Sequence, residues 1–124
     1  MAATPDTPDS DTAGYLTGID LFNRAEFFDA HEVWEAVWRG CASAERRFFQ
    51  ALIQAAVAAY HWGRGNPTGA ARLCHSGRKY MDPFRPVHRG LAVDEFWAAM
   101  AAHLAGAPVP KIALPDGTSR REPT

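Results

Sequence analysis

The stretch Glu26–Gly40, EFFDAHEVWEAVWRG, decides the fold. Its large apolar residues recur at the spacing of one helix face, not with the alternation of a strand. On a wheel of about 100° per residue, Phe27, Trp34, Trp38, His31, Glu35 and Phe28 fill an arc of roughly 120°. Ala30, Val33 and Val37 widen that apolar side, and Asp29, Glu32, Ala36 and Arg39 form the solvated strip. Glu32 therefore faces water. His31 and Glu35 fall inside the apolar arc, four residues apart and so neighbours on one face. This helix runs from about Ala25 to Arg39 and stops at Gly40, after a short lead-in turn at Asp20–Asn23.

Three further helices follow. The second begins near Ser43, whose hydroxyl suits the first turn as a cap, and runs to Gly63 or Arg64. Asn66-Pro67 starts the third, Asn as cap and Pro at the first helical position, and Asp82-Pro83 stops it after Met81. Arg85–Ala92 is loop, and Asp94 caps a fourth helix to Leu104 or Ala105. No segment alternates as a strand does. The class expected is all-α: a small antiparallel bundle of three main helices plus a fourth, over residues 15–105. Residues 1–14 are too poor in apolar side chains to fold and read as a disordered tail. Residues 106–124 are Pro-rich and extended, with Val109, Ile112 and Leu114 available to lie on the body.

Composition narrows the function classes. A chain of 124 residues, 47% hydrophobic and 22% charged, suits one domain with one core. Thirteen basic against fourteen acidic residues leave a formal charge of −1, without the basic excess of a nucleic-acid binder. Arg85, His88 and Arg89 lie close together but read as a solvated loop. Cys41 and Cys74 lack CxxC spacing and read as buried, reduced thiols. The first residues hold neither a basic leader nor an apolar run, and Ala51–Ala59 is short and interrupted by Gln54. The expectation is a cytoplasmic protein with no membrane or nucleic-acid partner.

The second helix carries Phe48, Phe49, Leu52, Ala55, Ala56, Ala59 and Trp62 on one side. Arg47, Gln50, Gln54 and His61 form a stripe on the other, interleaved with Ile53, Val57 and Ala58. A solvated stripe this long more often uses Lys and Glu, so this one reads either as a partly buried seam or as an exposed face of modest charge. If the first two helices are antiparallel neighbours, His31 and Glu35 face Gln54 and Arg47 or His61. A buried carboxylate needs such partners, since leaving it unpaired costs several kcal/mol.

FNRAEFFDAHEVWEAVWR followed by RRFFQALIQAAVAAYHWGRGNPTGAARL resembles domain-of-unknown-function family 309, small helical proteins of bacteria and archaea, over residues 17–104. The motifs E-F-F-x-A-H-E-x-W-E, F-F-Q-x-L-I-Q, Y-H and R-G-N-P-x-G-A carry the resemblance. It implies a compact helical bundle, no established activity, and family positions at Glu26, His31, Glu35, Gln50, Gln54, His61, Asn66 and Gly69. The chain departs from the pattern at Ala51, where the resemblance implies glycine and tighter packing, and at Cys74–Gly77, which weakens the third helix.

Four readings of the polar positions stand side by side. A His–Glu–Gln network can simply hold helix register. A pocket lined by Trp34, Trp38 and Tyr60, with His31, Glu35, Gln54 and Arg47 converging, would bind a small molecule. There His31 and Glu35 form an acid/base pair suited to proton transfer or to hydrolysis by activated water, since no serine or cysteine sits at a nucleophile motif. His31, Glu35 and His61 offer three metal ligands, but the HExxE order departs from HExxH and the second helix repeats no ExxH element. No cofactor is expected. Trp62, Phe96 and Trp97 would serve an interaction module or a homodimer. The primary expectation is architectural, with a small-molecule pocket and an enzyme left open.

Overall fold

The computed structural model describes residues 6–114. Five helices occur among them: α1 (Asp6–Asn23), α2 (Phe27–Gly40), α3 (Ser43–Gly63), α4 (Pro67–Met81) and α5 (Val93–His103). A 3-10 turn (Asp82–Phe84) and a hairpin of β1 (Val87–His88) and β2 (Leu91–Ala92) link α4 to α5. The class is all-α, as the periodicity requires. α1 to α4 pack each on the next in chain order, and α5 lies on α4 beneath the hairpin. Short connections of this kind make antiparallel neighbours.

The largest difference from the sequence reading is α1. The expected tail reached residue 14, whereas the helix begins at Asp6; residues 1–5, also assigned to the tail, lie outside the described residues, as do 115–124 of the C-terminal extension. Tyr15, Ile19 and Phe22 are buried at helical spacing, so the stripe that docks α1 starts where the tail was expected to end. Once that stripe is seated, each residue upstream adds a helical bond without a new nucleation cost. The lead-in turn at Asp20–Asn23 is the last turn of this helix.

Trp34 seats α1 on α2. It is fully buried, and its indole N–H donates to the Tyr15 carbonyl at 3.2 Å. Gly18 makes the approach possible: a Cβ there would fall inside the indole ring, and one at Gly14 inside the Val37 side chain. The other large, fully buried side chains are Phe22, Phe48, Phe49, Leu52, Met81, Val93 and Met100. Cys41 and Cys74 are free and buried. Cys74–Gly77, expected to weaken the third helix, lies inside an unbroken α4, with Gly77 packed against Trp97, Gln54 and Ala51.

The helix ends differ locally from the expected caps. Ser43 is the first helical residue, with Ala42 before it. Asp94 is inside the first turn of α5, where its carboxylate holds Arg85. Asn66 caps α4, its Oδ1 accepting from the Gly69 N–H at 3.1 Å. Arg85–Ala92, read as loop, contains the hairpin, paired Val87 with Ala92 and His88 with Leu91. Its two-residue turn, Arg89-Gly90, has positive φ at both positions, as a type I′ turn requires. Beyond α5, Ile112 is buried, and Asn23 on α1 accepts from its N–H and donates to its carbonyl at 2.7 and 2.9 Å.

Gly18→Ala tests the Trp34 seat. Alanine gains about 1 kcal/mol of helix propensity over glycine, but overpacking a rigid aromatic costs about 3 kcal/mol. Chemical denaturation should show a net loss of about 2 kcal/mol; a gain would mean that Trp34 is not seated there.

Candidate functional site

The first turns of α2 and the last turns of α3 flank a cleft of about 240 Å³, lined by Phe27, Phe28, His31, Val57, Tyr60 and His61. Phe28 stands at its mouth, half-exposed, with its ring centroid 5.2 Å from His31 and 5.7 Å from Tyr60. No Lys, Arg, Asp or Glu side chain is in the lining.

The polar side chains of the lining are two imidazoles and the Tyr60 phenol, and the partners of the neutral imidazoles assign them opposite tautomers. His31 Nδ1 lies 3.0 Å from the Phe28 carbonyl oxygen. A carbonyl can only accept, so Nδ1 carries the proton and Nε2 of the neutral ring keeps its lone pair. Glu35 Oε1 stands 3.8 Å from that Nε2, beyond hydrogen-bond length, with the Arg39 guanidinium 3.6 Å from the same oxygen. His61 Nδ1 lies 3.3 Å from Asn66 Nδ2. Because Asn66 Oδ1 is committed to Gly69, its NH2 group must donate to His61 Nδ1, and the neutral ring carries its proton on Nε2.

The turn after α3 sets this second imidazole. Gly65, at φ 80°, occupies the left-handed position that closes the helix: its N–H bonds the Trp62 carbonyl, and the Asn66 N–H bonds the His61 carbonyl. Asn66 thus binds His61 through its backbone and side chain while capping α4. Residues 15–73, which hold the whole cleft and this turn, match a family model. It is the domain of unknown function (DUF309). The resemblance read from the motifs is to the same family, although the match ends within α4 and does not extend to residue 104. Over 56 residues the chain is 36% identical to the uncharacterized protein YpuF of Bacillus subtilis (strain 168), spanning 44% of this chain and 32% of that protein. The chain therefore matches about a third of that relative's length.

The polar and aromatic positions singled out in the sequence do not form one seam. Trp34 is core, and Trp38 lies toward the far end of α2 under the Arg46 guanidinium, 4.1 Å away. Arg47 sits over the Tyr80 ring of α4 at 5.2 Å. Gln54 packs beside Gly77 of α4 and keeps a buried Oε1 without a partner; Gln50 is half-buried and outside the cleft lining. Arg47 and Gln54 lie against α4, whereas His61 lines the cleft with residues of α2. Glu32 is exposed, as the wheel requires. His31, Glu35 and His61 do not gather as a ligand set; among the described residues no three His, Cys, Asp or Glu side chains are placed to hold a metal ion. Phe96 and Trp97 are buried and Trp62 is half-buried beside His103, so these three form no exposed patch. No described helix is long and apolar enough to cross a membrane.

A second polar cluster escaped the sequence reading. Glu45 on α3 accepts from Arg89 Nε at 2.8 Å and lies 3.1 Å from His88 Nε2. The Tyr15 hydroxyl donates to the Arg89 carbonyl at 3.0 Å, tying α1 to the same hairpin. Arg85 is held by Asp94 and Asp82, so the three basic residues of this loop are all partnered. Only the turn chemistry of Arg89-Gly90 was a local signal; nothing near Glu45 marks its partners more than forty residues away. Burial pushes the Tyr15 phenol far above its usual range, only partly opposed by Arg89. Burial also pushes the Glu45 carboxyl up, but the hydrogen bonds and charges of Arg89 and His88 outweigh it and hold the group below the usual carboxylate range.

A depressed carboxyl stabilises the fold above its unfolded value, about 4.3, and that contribution fades as pH falls through the folded value. Urea midpoints of the parent should therefore drop more steeply than those of Glu45→Gln between about pH 5 and pH 3. Equal slopes would remove the clamp.

Proposed function

We propose that the protein binds a small organic molecule in the cleft between α2 and α3, with His31 and His61 as its polar contacts. What supports this reading is that two imidazoles line one aromatic-walled cleft, and that their Nδ1 partners leave, in the neutral rings, an acceptor at His31 Nε2 and a donor at His61 Nε2–H. Pockets that bind small molecules combine mostly apolar walls with a few convergent polar groups, and this lining has that composition. A purely architectural pair would more often be sealed from solvent. The His31 side chain retains 21% of its exposure and Glu35 37%.

Glu35 supports a further step, proton transfer. A proton taken from a bound molecule by His31 Nε2 would make an imidazolium facing the Glu35 carboxylate, whose charge favours that ion. His61 Nε2–H would meanwhile donate to an oxygen on the same molecule. The acid/base reading thus uses His31 and Glu35 as base and electrostatic partner, with no nucleophile and no metal in the step.

His31→Ala separates a binding role from a structural one. The ring makes one hydrogen bond at the rim, so its removal should cost about 1 kcal/mol or less of folding stability while abolishing fragment binding seen by ligand-observed NMR. A loss of several kcal/mol with fragment binding retained would assign His31 to the bracing of α2 instead.

A further inference from the structure

Resting on the cleft reading above, we infer that its ligand is an uncharged, planar, one- or two-ring heterocycle bearing an N–H donor beside a carbonyl acceptor, a cyclic amide edge. Three observations converge on that class.

The first is charge. The lining has no formally charged side chain. Beside the lining, Glu35 lies between His31 and Arg39, and the Arg64 guanidinium sits over the Tyr60 ring, 5.4 Å from its centroid. An ion entering the cleft would lose hydration with no charged group in the lining to offset it, and Glu35 beside His31 would repel an anion further.

Size and shape come next. A dry cavity of about 150 Å³ admits benzene, so about 240 Å³ takes one ring with substituents or a compact pair of rings. Phe27, Phe28 and Tyr60 offer ring faces and edges to such a plate.

The third is the hydrogen-bond code. His31 Nε2 needs a donor and cannot be satisfied by a carbonyl; His61 Nε2–H needs an acceptor and cannot be satisfied by an N–H. Neither ring can exchange tautomers without breaking its bond to the Phe28 carbonyl or to the Asn66 amide. A lactam edge meets both needs at once, its N–H donating to His31 and its C=O accepting from His61. A ligand with only one of the two leaves an imidazole nitrogen covered and unpaired, and is discriminated against.

The test uses the full chain and four probes: 2-pyridone, N-methyl-2-pyridone, toluene and benzoate. Binding is read from the imidazole 15N and the backbone amide shifts of Phe28, His31, Tyr60 and His61. 2-Pyridone should move both imidazoles and bind most tightly, with N-methyl-2-pyridone and toluene about tenfold weaker or worse and benzoate without effect on these signals. N-methyl-2-pyridone, toluene or benzoate binding in the cleft as tightly as 2-pyridone overturns the ligand class and leaves a small-molecule cleft standing. Silence of the cleft signals to all four probes at millimolar concentration overturns the class and the binding reading together. Long-range 1H–15N spectra of the free protein add a separate check: His31 protonated on Nε2, or His61 on Nδ1, in the neutral state would overturn the code itself.

Discussion

The indole of Trp34, seated where Gly18 has no side chain and bonded to the Tyr15 carbonyl, is the contact on which the other placements depend. Trp34 is large, fully enclosed and polar at one end, so its N–H needs a partner and its ring needs a matching hollow. α1 provides both within one turn, the carbonyl of Tyr15 and the gap above Gly18. That contact fixes the rotation of α2 about its axis. With Trp34 turned inward, His31 and Glu35 come to the flank beside α3, half-covered, and Glu32 and Arg39 come to the solvent. A different seat for Trp34 would carry His31 away from Tyr60 and His61, and no cleft would form.

A second constraint acts at the other wall. The chain leaves α3 through Gly65 and enters α4 at Asn66, and this tight turn leaves Asn66 no freedom: its oxygen caps α4 and its nitrogen points at His61. The protonation pattern of His61 therefore follows from a helix cap. The pattern of His31 follows from its bond to the Phe28 carbonyl, one turn back in α2. Local backbone geometry on each helix thus sets one hydrogen-bonding state, and tertiary packing brings the two states to one cleft.

On the far side of the bundle, Glu45, His88, Arg89 and Tyr15 join α3, the hairpin and α1 through charge-assisted bonds. This network lies away from the cleft. It shares Tyr15 with the Trp34 seat, so the two devices that hold α1 meet at one residue.

Much of the fold was legible because helices are local. The periodicity of Glu26–Gly40, the Asn66-Pro67 start and the Asp82-Pro83 stop depend only on neighbours a few residues away, and so did the exposure of Glu32. The length of α1 was not legible, since its first turns continue a helix docked by Tyr15, Ile19 and Phe22 and carry no signal of their own. The identities of His31, Glu35 and His61 as polar residues at half-buried positions could be read from a wheel, and the motifs pointed to the family that residues 15–73 match. Their partners could not: a wheel sets the angle of a residue on its own helix and is silent on which neighbour lies there. α3 has α2 on one flank and α4 on the other, so Gln54 and Arg47 went to α4, Trp34 went to α1, and Phe28, Tyr60 and His61 became the companions of His31. The sequence by itself determined the helices and which of their faces are polar, because those depend on short-range sterics and spacing. The tertiary structure alone decided which polar faces meet, because that depends on where one indole ring finds room.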